Sequence, residues 1–266
     1  KWPKSLRGVD MLLSGGSGWR STKRETQAMN MQNVHAIKCW AKMSVSGRLN
    51  DHFELRNFEE LAKQSKNVTE LFPNNATPYY FNGLAYAQLK QHDKAIKPLK
   101  RGTMINASSA NTDLTAQMHS LLGECYNALK KYKESDKSYE KAIEFNGNDP
   151  TIFNNYGYFL SLRGENLEKA ASMAKKANQM SPGNASYQDT YGWVLYQQAN
   201  YKDAKIWLEK AVATSSNSGV VLEHYGDTLF KLGEVDKAVE QWQKAKKAGG
   251  ASKKLDTKIQ NRKLKE

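Results

Sequence analysis

Residues 185–219, ASYQDTYGWVLYQQANYKDAKIWLEKAVATSSNSG, decide the fold. Gln198-Ala199-Asn200 is a polar turn that divides the stretch into two helical runs. The first run centres on Gly192. The second carries Ala204 and Ala211, with the bulky Leu208 between them. Small residues at fixed places in consecutive helices have a physical meaning, because helix axes approach to about 8–10 Å only where the contacting side chains are small. A large residue at Gly192 or Ala204 should force the two helices apart.

The same pattern recurs on both sides. Gly123, Gly157, Gly192 and Gly226 stand 34, 35 and 34 residues apart, and Gly83 lies 40 before Gly123. Twelve residues after each glycine, or thirteen once, comes a small residue: Ala95, Ser135, Ala170, Ala204 and Ala238. Seven further on stand Gly102, Ala142, Ala177, Ala211 and Ala245. Between them lies a large apolar side chain, as at Leu99, Tyr139, Leu208 and Trp242. A fixed period in this range is the mark of a repeat architecture.

This pattern resembles the tetratricopeptide repeat (TPR), in which each unit of about 34 residues is a pair of antiparallel helices, A and B. The resemblance implies an all-α, right-handed superhelical solenoid. It sets five units at 76–115, 116–149, 150–184, 185–218 and 219–250. The first is lengthened by a loop and helix cap near Ser108–Thr115, and the third by one residue in the turn Gly164-Glu165-Asn166. Turns between units read Phe72-Pro73-Asn74-Asn75 and Ser181-Pro182-Gly183-Asn184, where proline stops helix B and asparagine tolerates the left-handed conformation. Pro98 falls near the start of a helix B and predicts a local kink. Upstream, 36–75 reads as a degenerate unit, with a helix A around Ala36–Asn50 and a helix B over Asn57–Pro73. Residues 1–35 match nothing in the repeat and read as an irregular basic segment, loop-like at Ser14-Gly15-Gly16-Ser17-Gly18. At the other end, 251–266 reads as a basic capping helix over Ser252–Lys265. Leu255, Ile259 and Leu264 would close the last repeat, and the lysines would lie on the wet side.

Composition agrees with an array. The 266 residues are 39% hydrophobic and 25% charged, and the mean hydropathy of -0.75 suits stacked repeats that share a thin core. The net charge of +13 looks like a nucleic-acid signature until it is mapped. Residues 1–38 carry +5, residues 246–266 carry +6, and the body between them only +2. No stretch approaches the roughly 18 apolar residues of a membrane span. The opening Lys1-Trp2-Pro3 has no initiator methionine and reads as the start of a fragment or a processed chain.

Catalytic, cofactor and metal constellations are not found. Gly15-Gly16-Ser17-Gly18-Trp19-Arg20-Ser21 lacks the lysine and spacing of a phosphate loop. His35, His52, His92, His119 and His224 are scattered without ligand spacing, and His119 takes a core or half-core place in helix A. Cys39 and Cys125 read as buried or half-buried thiols.

The resemblance also implies where a ligand would lie. In the family, the second, fifth, ninth, twelfth and thirteenth positions of helix A face a concave groove. The residues at the fifth positions are Tyr80, Ser120, Asn154, Asp189 and Glu223; those at the ninth are Leu84, Glu124, Tyr158, Trp193 and Asp227. The twelfth positions add Asn127, Tyr196 and Phe230, with the smaller Ala87 and Ser161. The family's carboxylate clamp, which needs Lys and Asn at the fifth and ninth positions, is absent. Aromatics among Asn and carboxylates suit an extended or helical protein segment with apolar anchors and a basic residue. Some of these aromatics could instead pack inside the array. The implied function is a non-catalytic scaffold that binds a protein or peptide partner, within a larger assembly. The alternative is a nucleic-acid- or anionic-surface-associated protein that uses the basic ends; nucleic acid is the weaker partner. The Gly-Trp-Val-Leu-Tyr and Glu-His-Tyr-Gly-Asp stretches resemble bacterial cell-envelope TPR proteins, which favours a periplasmic over a cytoplasmic location.

Overall fold

The computed structural model describes residues 47–107, 109–215, 217–249 and 252–264. The expectations for residues 1–35, for Cys39 and for most of the helix around Ala36–Asn50 lie outside them. The chain divides into two units, Lys1–Asp51 and His52–Glu266. Of the first, only residues 47–51 are described, and they are helical.

The second unit is a run of helices, with no strand among its described residues. α1 spans Phe58–Leu71. Five antiparallel pairs follow: α2 (Ala76–Gln88) with α3 (His92–Asn106), α4 (Thr112–Ala128) with α5 (Tyr132–Phe145), α6 (Pro150–Arg163) with α7 (Leu167–Met180), α8 (Ala185–Gln197) with α9 (Tyr201–Thr214), and α10 (Gly219–Lys231) with α11 (Val235–Ala248). The short α12 covers Leu255–Asn261. Each pair packs most closely within itself and then onto the next pair, which makes this unit an α-solenoid.

Polar side chains start the A helices. Asn75, Asn111, Asp149, Asn184 and Ser218 each accept a hydrogen bond from a backbone N–H of the first turn. Such a cap contributes about 1 kcal/mol. Asn75 and Asn184 therefore act as caps, at φ of -106° and -75°, and not as the left-handed residues expected of them. Inside pairs the left-handed places are Lys90, Lys130, Gly164, Asn166, Ala199 and Gly233, and in the turn before α8 that place is taken by Gly183 and not by Asn184. Pro98 sits inside α3, and the helix runs on through it to Asn106.

The core explains the repeat. Over four of the five repeat glycines lies a side chain from helix B sixteen residues later: Leu99 over Gly83, Tyr139 over Gly123, Leu208 over Gly192 and Trp242 over Gly226. An added Cβ would meet the Tyr139 ring at 2.6 Å, Leu208 Cγ at 2.6 Å and Trp242 Cδ1 at 2.5 Å. Leu99, Tyr139, Leu208 and Trp242 are fully buried. Around Gly157 the neighbours are backbone atoms, Ala170 O at 3.0 Å and Ala174 N at 3.2 Å, so α6 and α7 approach main chain to main chain. Ala170, Ala174, Ala204, Ala211, Ala238 and Ala245 are fully buried in the same seams. Between pairs the contacts are mixed. Tyr139 of α5 stacks on Tyr156 of α6 at 5.0 Å. Asn106 of α3 donates to the Thr115 hydroxyl at 2.8 Å, and Asn178 of α7 donates to the Tyr187 carbonyl at 2.7 Å.

Replacing Gly226 by Ala tests this packing. Overpacking costs about 1–3 kcal/mol, against up to about 1 kcal/mol gained in helix propensity, so a net loss of about 1–2 kcal/mol is expected. Gly147→Ala, whose Cβ meets only the Ile143 carbonyl at 3.4 Å, should stay within about 0.5 kcal/mol. Urea unfolding followed by helical circular dichroism separates the two.

Candidate functional site

The A helices α2, α4, α6, α8 and α10 touch one another in sequence and form one side of the array. The fifteen residues expected to line a groove all lie on them, but they meet three different fates.

Toward the N-terminal end the face stays open. Tyr80 and Leu84 of α2, Ser120 and Glu124 of α4, and Ile152 and Asn155 of α6 line a cleft of about 300 Å³, with Asp149 at its edge. Gln117, Leu121 and Thr151 complete the lining. Gln117 and Thr151 hold the second position of their units, a groove position for which the sequence reading names no residue, and that register is the signal that could have found them. Tyr80 meets Phe81 edge-on at 5.5 Å, and burial pushes its phenol pKa up. The cleft is apolar on the α2 side and acidic at Glu124 and Asp149.

In the middle of the array the face is half closed. Asn154 is buried and donates only to Asn155 Oδ1 at 3.3 Å. The Oδ1 atoms of Asn154 and Asn127 are buried without a hydrogen-bond partner. Tyr158 leans on Phe159 at 5.8 Å, and burial, then the Asp189 carboxylate, raises its pKa.

At the C-terminal end the face is filled by the chain itself. Trp193 lies between two rings, His224 at 4.0 Å and Tyr196 at 4.7 Å, both close to parallel. Its Nε1 is buried and unpartnered. His224 Nδ1 is 2.9 Å from Asp189 Oδ1. Phe230 packs on Trp242 at 5.9 Å. Glu223 and Asp227 share one ammonium: Lys258 Nζ of α12 reaches Glu223 Oε1 at 2.7 Å and the Asp227 oxygens at 2.8 and 2.7 Å. Ser252 donates both its N–H and its hydroxyl to Glu223, and Trp242 Nε1 donates to Asp227 at 2.8 Å.

This geometry corrects the reading of the capping segment. Its helix is shorter than Ser252–Lys265, ending at Asn261 with Arg262 left-handed. Leu255, Ile259 and Leu264 do join the last core cluster. Lys258, however, is 6% exposed and not on the wet side. A helix too short to hold itself is fastened by an ion pair that sequence periodicity alone could not reveal. Of the other basic groups here, Lys246 pairs with Asp256 at 2.7 Å and Arg262 with Asp236.

The carboxylates respond in opposite directions. Burial raises Glu223, but hydrogen bonds from Lys258 and Ser252 outweigh it and bring the pKa below the usual range. Burial raises Asp227 further than Lys258 can offset, so its pKa lies above. For His224, burial favours the neutral ring, but the charges of Asp189, Asp227 and Glu223 outweigh it and raise the pKa. Elsewhere, burial and then Lys141 bring His119, stacked on Phe145 at 5.6 Å, down to about 4. Burial and then Glu124 push Cys125 up to about 12, the behaviour of an inert core thiol. Among the described residues, no group of three His, Cys, Asp or Glu side chains is placed to hold a metal ion.

Removing the shared ammonium leaves two carboxylates in a closed site. Lys258→Ala should lower unfolding free energy by about 3 kcal/mol, whereas Lys254→Ala, at an exposed position, should change it by less than about 0.5 kcal/mol; chemical denaturation measures both. The His224 shift has a definite sign. A raised folded pKa gives stability that is full below the unfolded value near 6.5 and is lost as pH rises through the folded value. The stability gap between the parent and His224→Gln should therefore shrink from mildly acidic to mildly alkaline pH, and the imidazole should titrate above 6.5 by NMR.

Comparison with known proteins agrees with this architecture. Residues 116–149 match the tetratricopeptide-repeat family profile. The chain is 26% identical to the type IV pilus assembly protein PilF of Pseudomonas aeruginosa over 170 residues, which is 63% of this chain and 65% of that protein. It thus spans just under two thirds of that relative's length. Among solved structures, one from a functional characterization of Pseudomonas aeruginosa pilF superposes with a TM-score of 0.59 at 23% identity, covering 70% of this chain and 86% of the other. A tetratricopeptide-repeat protein from Parabacteroides merdae superposes with a TM-score of 0.64 at 13% identity, covering 82% of each chain. Both structures share the fold. No helix among the described residues is long and apolar enough to cross a membrane.

Proposed function

We propose that this chain, a tetratricopeptide-repeat protein by its repeats and its fold, is a non-catalytic scaffold that holds a segment of a partner protein along its A helices. The observation that carries this reading is the open cleft between Tyr80, Leu84 and Glu124, on a face whose C-terminal end is occupied by the chain's own side chains. Its partner is an extended or helical segment that sets an apolar side chain against Tyr80, Leu84 and Ile152 and a basic one beside Glu124 and Asp149. Trp193 supports the face from within by stacking on His224, which ties α8 to α10, while Tyr196 packs on Trp193 and Phe230 on Trp242.

The Pseudomonas aeruginosa relative is named for type IV pilus assembly. By analogy we assign this chain to the assembly of a bacterial cell-envelope structure, on the periplasmic side. The second reading, nucleic acid or an anionic surface at the basic ends, is weakened because Lys246, Lys258 and Arg262 already have carboxylate partners.

Purification of the tagged protein from its own cells, beside a Tyr80→Ala/Glu124→Lys variant, tests the groove. Recovery of the co-purifying partner should fall about tenfold or more in the variant, an energy of about 1.4 kcal/mol, with the helical circular dichroism unchanged. Equal recovery would refute the groove. Loss of surface pili on deletion of the chain, with fractionation to the envelope, is the expected cellular result.

A further inference from the structure

The average charge of the body conceals a local concentration. Residues 90–101 alone hold Lys90, Lys94, Lys97, Lys100 and Arg101 against Asp93. In the fold, four of these line one long groove of about 1240 Å³ between α1 and α3, joined by Lys66 from α1 and Lys131 from the turn after α4. The groove lies on the other side of α2 from Tyr80 and Leu84, since α2 contributes Tyr79 and Tyr86 to its floor. It is therefore separate from the cleft described above.

Three properties make it more than a solvated helix face. First, none of the six cations is in an ion pair with another described residue, although ion pairs are common elsewhere in the array. Six cations against the two carboxylates of Glu70 and Asp93 leave the trough net positive, and a cleft dominated by one sign focuses that field on whatever enters it. Second, the floor is apolar: Tyr79, Tyr86, Ile96 and Leu129 line it, and Met104 stands 69% exposed at its end. Third, the basic surface continues. Lys100 and Met104 also border a second cavity of about 380 Å³, which carries Lys137 and Lys141 of α5.

We infer that this groove between the B helices is a second docking site, and that its occupant is an acidic protein segment with apolar anchors, supplied by a partner in trans. Charge selects that occupant. The chain's own ends carry +5 and +6 and are repelled by the groove, and a second copy of the chain brings the same ends. Glu70 and Asp93 among the lining residues oppose a continuous phosphate polyanion, but leave room for separated carboxylates that can be spaced around them. The apolar floor holds leucine or phenylalanine side chains, for which nucleic-acid phosphates have no counterpart. A trough walled by two helices also excludes a flat membrane surface.

Fluorescence anisotropy of the full chain tests the assignment. The probes are a labelled synthetic peptide that alternates Asp/Glu with Leu and Phe, the same peptide with Lys for its acids, and the same peptide with Ser for its apolar residues. The acidic apolar peptide should bind, more weakly as salt rises, and both altered peptides should bind about tenfold or more weaker. Lys97→Glu/Arg101→Glu should weaken binding about tenfold or more, and Lys94→Ala/Lys97→Ala by a smaller factor in the same direction. Tyr80→Ala/Glu124→Lys should leave it unchanged. The five altered positions are exposed (Lys94, Lys97, Arg101) or half-buried (Tyr80, Glu124), and circular dichroism checks that each variant folds. The inference is overturned if the α3 variants bind as the parent does, if the serine peptide binds equally well, if the Tyr80 variant loses binding equally, or if duplex DNA or phosphatidylglycerol vesicles displace the acidic peptide at matched charge.

Discussion

A bulky side chain of helix B resting on a bare glycine of helix A is the contact on which the rest of the molecule depends. It needs two opposite residues at once. The glycine removes the Cβ that would collide, and Leu99, Tyr139, Leu208 or Trp242 fills the space that its absence leaves. Neither half works alone: a glycine without its occupant leaves a void, and an occupant without its glycine forces the helices apart. With the small residues at Ala204, Ala211, Ala238 and Ala245 closing the same seams, the pair angle is set, and so is the direction in which each A helix presents its free side.

That presentation gives the array two unlike ends. Near α2, α4 and α6 the free side holds aromatic, aliphatic and carboxylate groups around open space. Near α8 and α10 the same helical positions turn to one another and to α12. Stacked rings at Trp193 and a lysine between two carboxylates make this end a piece of core with a polar interior. Buried charges of this kind are costly when isolated and tolerable when every oxygen has a donor. Here Lys258, Ser252 and Trp242 supply the donors. The basic trough between α1 and α3 belongs to the opposite side of the first pair, so the two surfaces do not compete for the same residues.

Much of this was legible in the sequence, and the reasons for the rest are physical. Glycine and alanine spacing is a one-dimensional record of close helix approach, so the helix pairs and their seams could be read directly. What the spacing did not say is which large residue meets which glycine, though both were in view. The turns were misread because Asn serves equally well as a cap and as a left-handed residue. Asn75 and Asn184 took the first role, and Lys90, Lys130 and Ala199 took strained positions that composition does not advertise. Lys258 was hidden for another reason. On a helical wheel it is one lysine among many, and only its distance to Glu223 and Asp227, more than thirty residues earlier, makes it different. Summed charge failed likewise, since a body of nearly balanced charge can still gather its cations around one trough.

In four of the five pairs the glycine and its occupant stand sixteen residues apart, and in all five the glycine is covered from within its own pair. The seam inside each pair is therefore self-contained, while neighbouring pairs are joined by separate contacts such as Asn178 to the Tyr187 carbonyl and Trp193 to His224. An array built this way is a modular length of chain. Whole pairs can be duplicated or deleted in evolution without any glycine being re-matched to an occupant elsewhere. The exception is the last one, because α10 is keyed by Glu223 and Asp227 to the lysine of the terminal helix. Growth of the array is thus permitted in its interior and forbidden at its C-terminal edge, where a new pair would strand two carboxylates from their cation.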